Sequence, residues 1–204
     1  LRDAIRTRFG AAPQVYRAGR YGLGRDTAEM LAELGFVCDT SVRPGFDYRK
    51  GHGPDYRGAP LRPWWVATRH GPVLEVPVTT VFGGLMGPKG EGLYHPIARN
   101  GRYAGSVLAR LGLVERIALT PEGIPADRAC RAVDIALDQG VPVLNFSFHS
   151  PSLRPGNTPY VRTAADLDRF YRWWDAVLDH LARRGVVPTD TAGLLMLATA
   201  KRPA

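Results

Sequence analysis

The sequence is poor in cysteine, and its histidines are never close together. Cys38 and Cys130 are far apart and no CxxC occurs, which indicates two free, buried thiols rather than a disulfide framework and leaves the compartment open. The 5 histidines lie at least 18 residues apart in the chain, so no neighbouring pair on one helix or loop is present to bind a metal ion.

Lysine is also scarce, because all but three of the 27 basic residues are arginine, and the formal net charge is +8. These residues are scattered, and Arg183 and Arg184 are the only neighbouring arginines, so no compact basic patch is present to grip a phosphate backbone. No apolar run approaches the roughly 20 residues of a membrane span, and no signal segment opens the chain. We therefore expect neither nucleic acid nor a membrane span.

The chain does contain the composition of a globular domain, with 204 residues, 45% apolar residues and 23% charged residues. We expect one domain over 1–204. Local signals predict a helix cap at Asp26, a capping box at Thr163 and Asp166, a strand end at Pro77, a core position for Trp174 and a loop over 79–103. The predicted elements are helices over 1–9, 27–34, 105–111 and 125–139, from 163 and from 189 or 190, with strands over 14–17, 36–39, 73–78, 116–119, 143–148 and 186–187. This alternation predicts the α/β class, with a barrel or part of one favoured over an open sheet.

The stretch 141–159 begins as an apolar strand and ends as a polar loop with three prolines and a glycine. His149 stands where the strand becomes the loop, at the carboxyl end of the strand, which is where α/β proteins bind their ligands. The alternative is a histidine whose ring is satisfied by backbone groups at a strand end.

Two other strand ends also carry polar residues, at 17–21 and 39–41. If the strands are parallel, these ends and His149–Ser150 open on one face, which brings Arg17, Asp39 and His149 into one mouth. A histidine oriented by an aspartate is a recurring arrangement of hydrolytic enzymes.

Four segments together resemble a known family: VYRAGRYG, GFVCDTSV, LEVPVT and NFSFHSPSLRPGNTPYV. They resemble the later motifs of the polysaccharide deacetylases, the NodB-homology proteins of carbohydrate esterase family 4, and the resemblance covers nearly the whole chain. It implies a distorted (β/α) barrel, of which this chain is the C-terminal part. It also implies that acetyl groups are hydrolysed from a polysaccharide or amino sugar with a divalent metal, usually zinc.

The resemblance assigns roles to residues of the first two segments. Arg17 would pair with the catalytic aspartate, and Arg20 is the alternative because RAGRY is one residue longer than the commoner RxPY form. A backbone N–H near Tyr21 would help bind the oxyanion. Asp39 would orient the histidine, although the DxxDW form usual in the family is DTSV here.

The last segment supplies the proton donor in this scheme. His149 would protonate the leaving amine, and Phe146 or Phe148 would lie near the acetyl methyl group. Ser150 would contact the substrate. Trp64, in the long irregular region 40–65, would stack on a sugar ring or, alternatively, cover an edge of the core.

The metal ligands of the family are missing from this sequence. They come from a TFDD-like motif and an HxxxH-like motif that precede the first segment, so we expect roughly a third of the domain to lie upstream of Leu1. We expect the chain alone to bind no metal, to be inactive, and to self-associate or unfold easily through exposed strand edges. Isolated candidates for loop ligands are His52, Asp55 and His95, with simple solvation as the alternative.

Three further alternatives remain open from the sequence. One function from another class is a non-catalytic α/β module that binds a polysaccharide or a protein partner through the same loops. A related amidohydrolase acting on a non-sugar cyclic amide is another. Glu75 lies between apolar neighbours on a predicted strand, so we expect it to be paired, with an arginine as the candidate partner, or to face the site.

Overall fold

A computed structural model describes residues 1–87 and 111–199 of the chain. The chain divides into two compact units, Leu1–Val78 with Pro188–Ala204, and Thr79–Val187. Helices and parallel strands are both present, so the predicted α/β class is confirmed. Among the described residues, no helix has the length and apolar character needed to cross a membrane. The predicted helix at 105–111 and most of the loop at 79–103 lie outside the described residues.

The elements of the described residues are short strands and helices of 7 to 20 residues. The strands are β1 (Val15–Tyr16), β2 (Cys38–Asp39), β3 (Trp64–Val66), β4 (Val73–Glu75), β5 (Thr80–Gly83) and β6 (Glu115–Ala118). The helices are α1 (Arg2–Phe9), α2 (Thr27–Glu33), α3 (Ala126–Asp138), α4 (Ala164–Arg183) and α5 (Thr191–Thr199). Within residues 1–87 and 111–199 the 3₁₀ helices include Gly19–Tyr21, Arg49–Gly51 and Ser150–Leu153.

The first unit contains a four-stranded sheet in the order β1-β2-β4-β3. The first three strands are parallel, and β3 pairs antiparallel with β4 along the sheet edge. Cys38, Val73 and Leu74 are fully buried, so β2 and β4 form the centre of this sheet. The strand expected over 73–78 ends at Glu75, two residues before the Pro77 that indicated a strand end.

Helix ends in the first unit follow the predicted signals with one exception. Gly10 and Gly35 take the left-handed conformation after α1 and α2, as a glycine does easily. Asp26 occupies the N-cap position of α2 without a side-chain capping bond, so its expected capping role is wrong. Asp190 does cap α5, because its carboxylate accepts from the N–H of Gly193 at 2.8 Å.

The second unit packs α3 and α4 with the antiparallel pair β5 and β6. Its core includes Val81, Ile117, Val133 and Val177, all with about 1% exposure or less. The capping box predicted for α4 is present, since Thr163 and Asp166 satisfy each other's backbone N–H groups.

The segment 143–148 is not the buried central strand that its apolar run predicts. Phe148 is 37% exposed, and no regular ladder forms. Asn145 and Ser147 instead bond to Thr79 and Leu119, next to β5 and β6. Most of the apolar side chains in 143–148 are half-buried, whereas a central strand would have them fully buried.

One further expectation for the second unit is wrong, and another, that Trp174 packs in the core, is met in part, because Trp174 is half-buried and packs against the core cluster. Val186 and Val187 form no strand, and Val187 is 79% exposed. On α4 the core tryptophan is Trp173, which is 6% exposed and donates its indole N–H to the carbonyl of Ile124 at 2.8 Å. Trp174 is half-buried beside it.

Candidate functional site

Two buried carboxyl groups face each other in the first unit. Asp39 and Glu75 are register partners on the neighbouring parallel strands β2 and β4, so their side chains leave the sheet on the same face. Both are almost fully buried, at 5% and 3% exposure, and the two side chains are hydrogen-bonded to each other. A pair of carboxyl groups in such a place must hold a proton between them, because two like charges would repel strongly.

Backbone and hydroxyl donors hold both carboxyl groups in place. Asp39 Oδ1 accepts from the N–H of Ser41 at 3.0 Å and also from the Ser41 hydroxyl. Glu75 Oε1 accepts from the N–H of Val42 at 3.0 Å. The Ser41 hydroxyl oxygen accepts in turn from the N–H of Ala18 at 2.7 Å, so the turn after β1 is tied to the same cluster.

Burial raises the pKa of both carboxyl groups, and their hydrogen bonds favour the proton on Glu75. Burial raises the pKa of Glu75 to about 9, and the neighbouring charge of Asp39 adds to the effect. Burial also raises the pKa of Asp39, although hydrogen bonds from Ser41 oppose that shift. At neutral pH Glu75 is therefore protonated and donates to Asp39, and the pair carries one negative charge.

Arg17 lies close to this pair, as the strand-end pattern predicts. Its Nε donates to the hydroxyl oxygen of Thr40 at 2.9 Å, and that hydroxyl donates to the carbonyl of Tyr16 at 3.1 Å. Partial burial lowers the pKa of Arg17, while the charges of Tyr21, Asp39 and Glu75 act in the opposite direction. The structure thus brings together the predicted arginine and aspartate with a second acid.

The turn after Arg17 is strained and largely satisfied within itself. Arg20 and Tyr21 have φ of 54° and 58°, in the left-handed region that non-glycine residues rarely adopt. The N–H of Tyr21 donates to the carbonyl of Ala18 at 3.3 Å, so the backbone donor expected for an oxyanion is used inside the turn. The Tyr21 ring stacks on Tyr48 at 5.7 Å, and Arg20 is exposed.

Trp64 lies on strand β3 and not in a loop. It is half-buried and is the register partner of Glu75 on the antiparallel pair. The neighbouring Trp65 donates its indole N–H to the carbonyl of Ala198 at 3.4 Å. Both alternatives for Trp64, a sugar contact or cover for the core edge, therefore remain open.

His149 belongs to the second unit, and its carboxylate partner there is Glu122. The Nδ1 of His149 lies 2.6 Å from Oε2 of Glu122, and its backbone N–H donates to Oε1 at 3.0 Å. The hydroxyl of Ser152 donates to the same Oε1 at 2.6 Å. An orienting contact to the His149 ring is therefore made by Glu122, and the orienting role expected of Asp39 stays a prediction.

This geometry determines which ring nitrogen of His149 faces the carboxylate. An ionised carboxylate only accepts hydrogen bonds, so Nδ1 carries the proton that faces Glu122 and Nε2 is the atom left for a substrate. The Glu122 side chain is 6% exposed whereas that of His149 is 54% exposed, so a buried acid supports an accessible ring. The ring of Tyr160 stacks on the imidazole at 6.3 Å with 12° between the planes.

A cleft of about 500 Å³ lies beside this centre, within the second unit. Pro121 and Gly123, which flank Glu122, line one side of it, and Tyr160 is shared with the His149 stack. Part of the wall comes from α4 and consists of Asp166, Arg169, Phe170, Arg172 and Trp173.

Phe148 and Ser150 flank His149 on the chain. The Phe148 ring packs edge-to-face on Phe170 at 5.4 Å and on Trp174 at 5.7 Å, so it belongs to an aromatic cluster. Phe146 is half-buried in the same cluster. Ser150 is exposed at the start of its 3₁₀ helix.

The described residues do not fit the metal that the resemblance implies. Residues 1–87 and 111–199 contain no group of three or more His, Cys, Asp or Glu side chains that could hold an ion. Asp55 is bonded to Arg57 at 2.8 Å, and His52 closes a 3₁₀ turn with φ of 59°. Burial raises the pKa of the Cys38 thiol to about 12, which keeps it protonated. His95 lies outside the described residues.

Two functional candidates, Glu122 and Glu75, differ from the sequence expectations. Glu122 was missed, although it follows the predicted strand at 116–119 by three residues, so the strand-end rule that selected Asp39 also applies to it. Glu75 was expected to be paired, and its partner is a second acid and not an arginine.

The expectation that Arg17, Asp39 and His149 share one mouth stays a prediction, because the first two belong to one unit and the third to the other. Comparisons of the chain with protein-family models, with curated proteins and with solved structures find no match.

Proposed function

We propose that the chain is the C-terminal part of a distorted (β/α) barrel that hydrolyses acetyl groups from a polysaccharide or amino sugar, with His149 as the general acid. The observation that carries the proposal is the accessible imidazole held by the buried Glu122 beside a cleft of about 500 Å³. The segment resemblance supplies the reaction, and this geometry supports the part that His149 would have in it.

The proton donor is needed because of the leaving group. Cleavage of an acetamide expels an amine, which leaves readily only after its nitrogen has been protonated. Nδ1 of His149 is fixed on Glu122 at 2.6 Å, so the ring, in its imidazolium form, gives the Nε2 proton to the amine and is left as the neutral tautomer with its proton on Nδ1. The Glu122 carboxylate holds the ring in one tautomer and balances the charge of the imidazolium form.

Glu122 is itself held by donors that do not take part in proton transfer. The Ser152 hydroxyl and the backbone N–H of His149 both donate to Oε1, which leaves Oε2 for the ring. This division of the two carboxylate oxygens fixes the direction of the ring, as a positioning carboxylate must do.

A divalent metal, zinc in the first instance, would polarise the acetyl carbonyl and activate water in such an enzyme. The described residues of this chain do not fit it, so we assign no step to them through the metal. We propose Arg17 and Asp39 as further catalytic residues on the strength of the resemblance. Asp39 and Glu75 share a single negative charge next to Arg17. This arrangement of fixed charges supports a catalytic role for Arg17 and Asp39.

The test is acetate release from chitooligosaccharides with added Zn²⁺, by the protein expressed from its complete reading frame. We expect His149→Ala to lower the rate about 10²- to 10⁴-fold, the usual contribution of a general acid, and Glu122→Gln to lower it less. The matched control is His180→Ala, because His180 is also bound to a carboxylate, that of Asp134, at 2.9 Å between α3 and α4. An unchanged rate for His149→Ala would show that the acid is another group.

The second candidate function is a non-catalytic module that binds a polysaccharide. It is favoured by one observation, that residues 1–87 and 111–199 offer no group of metal ligands. A binding module would bind chitooligosaccharides and would release no acetate, whichever metal ion is added. That result would replace the deacetylase proposal, whereas metal-dependent acetate release would exclude the module.

A further inference from the structure

The wall of the cleft beside His149 carries more positive than negative charge. Its carboxylate, that of Asp166, accepts from the backbone N–H groups of Arg162 and Thr163 and forms an ion pair with Arg169. The described residues give the Arg172 side chain no hydrogen bond or ion pair, and Arg172 lines the same cleft. A ligand with a negative charge would therefore be attracted to the cleft, and Arg172 is the group available to bind it.

The rest of the cleft wall includes aromatic side chains, which suit the binding of a sugar ring. Phe170 and Trp173 are each 6% exposed and form a rigid base, and Tyr160 is 49% exposed at the rim. The indole N–H of Trp173 is used by the carbonyl of Ile124, so the base offers aromatic surface and no free donor. The volume of about 500 Å³ lies within the range of about 300–1,000 Å³ that is usual for small-molecule sites.

We propose that this cleft is a subsite for a saccharide unit that carries a carboxylate, a hexuronate ring in the first instance, in which Arg172 binds the carboxylate and Tyr160 stacks on the sugar. The inference rests on the proposed function in taking a polysaccharide as the ligand. It adds that the polymer is acidic, and that its charged unit is bound next to the residue that protonates the leaving amine.

The test is calorimetric binding at low ionic strength of a tetrasaccharide of alternating glucuronate and N-acetylglucosamine. Its comparison ligand is the same tetrasaccharide with the carboxyl groups reduced to alcohols. An accessible arginine–carboxylate pair gives an affinity gain of up to about fivefold, so we expect the acidic form to bind about three- to fivefold tighter. The preference should fall as salt is added, because the pair is exposed to solvent.

Variants of Arg172 and Tyr160 test the contact with the carboxylate and the stacking on the sugar separately. We expect Arg172→Gln to abolish the preference for the acidic form and Arg183→Gln to keep it, since Arg183 is exposed on the same helix about three turns away from the cleft wall. Tyr160→Ala should weaken the binding of both forms. Its control is Tyr171→Ala, because Tyr171 is also 49% exposed but does not line the cleft, and binding should not change.

Two results would overturn the inference in different ways. Equal binding of the two tetrasaccharides, or an unchanged preference in Arg172→Gln, would remove the carboxylate from the proposal. Competition by inorganic phosphate as strong as that by the acidic tetrasaccharide, together with no binding of the reduced form, would make the cleft a simple anion site. Both results leave acetate release from neutral chitooligosaccharides unaffected, and a failure to release acetate leaves the binding preference intact, so the two proposals fail separately.

Discussion

The proton shared by Asp39 and Glu75 should make the stability of the first unit depend on pH. Burial raises the pKa of Glu75 to about 9 from an ordinary value of 4.5, so the folded protein keeps a proton that the unfolded chain has released between these pH values. The stabilisation by this proton is complete below about pH 4.5 and is lost as the pH rises towards 9. Stability must therefore fall across this interval.

The change in the free energy of unfolding with pH is set by the one proton that the folded protein keeps and the unfolded chain releases. A difference of one bound proton changes the free energy of unfolding by about 1.4 kcal/mol per pH unit, which sets an upper bound of about 4 kcal/mol between pH 5 and pH 8. In Glu75→Gln, the amide can donate to Asp39 and accept from Val42 as protonated Glu75 does, without titrating. We expect the variant to become the more stable protein as the pH rises, by up to that amount at pH 8.

Urea unfolding followed by circular dichroism at several pH values measures this difference. Exchange of the Val42 amide, which is bonded to Glu75 Oε1, assigns the transition to the first unit. Glu33→Gln is the matched control, because Glu33 is an exposed glutamate of the same unit at the end of α2. Identical pH dependence of the wild type and Glu75→Gln would mean that Glu75 is ionised in the folded protein, and the assignment of the shared proton would be wrong.

Two further predictions concern the second unit. Thr163→Ala removes the hydroxyl that accepts from the N–H of Asp166, so the free energy of unfolding should fall by about 1 kcal/mol in thermal or urea denaturation; no change would show that the capping box contributes nothing. Gly84→Ala should destabilise by more than about 2 kcal/mol, because φ is 97° and a Cβ would meet the carbonyl oxygen of Leu113 at 2.6 Å. Gly58→Ala is its control, since nothing lies within 4 Å there, and equal stability of the two variants would contradict the clash.

Long periodic elements were predictable because their signals are local. Helices α3 and α4 show 3.6-residue spacing over three turns or more, and the Thr163–Asp166 pair marks the start of α4 within one residue. Strands β3 and β5 were not predicted. They fall largely in the glycine-rich stretches 40–65 and 79–103, whose composition predicts loops.

The partners of the site residues were harder to predict than the residues themselves. Arg17 and Asp39 were placed together correctly, because strand ends of a parallel sheet share an edge. The partner of His149 depends on a contact 27 residues away in sequence, and several acids of the chain would fit equally well. The strand-end rule could have suggested Glu122, but its contact with His149 depends on tertiary packing, which the rule does not include.

The segment that carries His149 is bonded through alternate N–H groups, as a strand is, and within the described residues its acceptors include side chains as well as backbone. The N–H groups of Asn145, Ser147 and His149 donate in turn to the hydroxyl of Thr79, the carbonyl of Leu119 and the carboxylate of Glu122. In an ordinary ladder every acceptor is a carbonyl that no side-chain substitution can remove. Asn145 is also held by a backbone bond, since the N–H of Thr79 donates to its carbonyl at 3.0 Å, whereas the acceptor at His149 is a side chain. Mutation of residue 122 can therefore loosen the His149 end of the segment, and the position of His149 depends on a residue that need never touch the substrate.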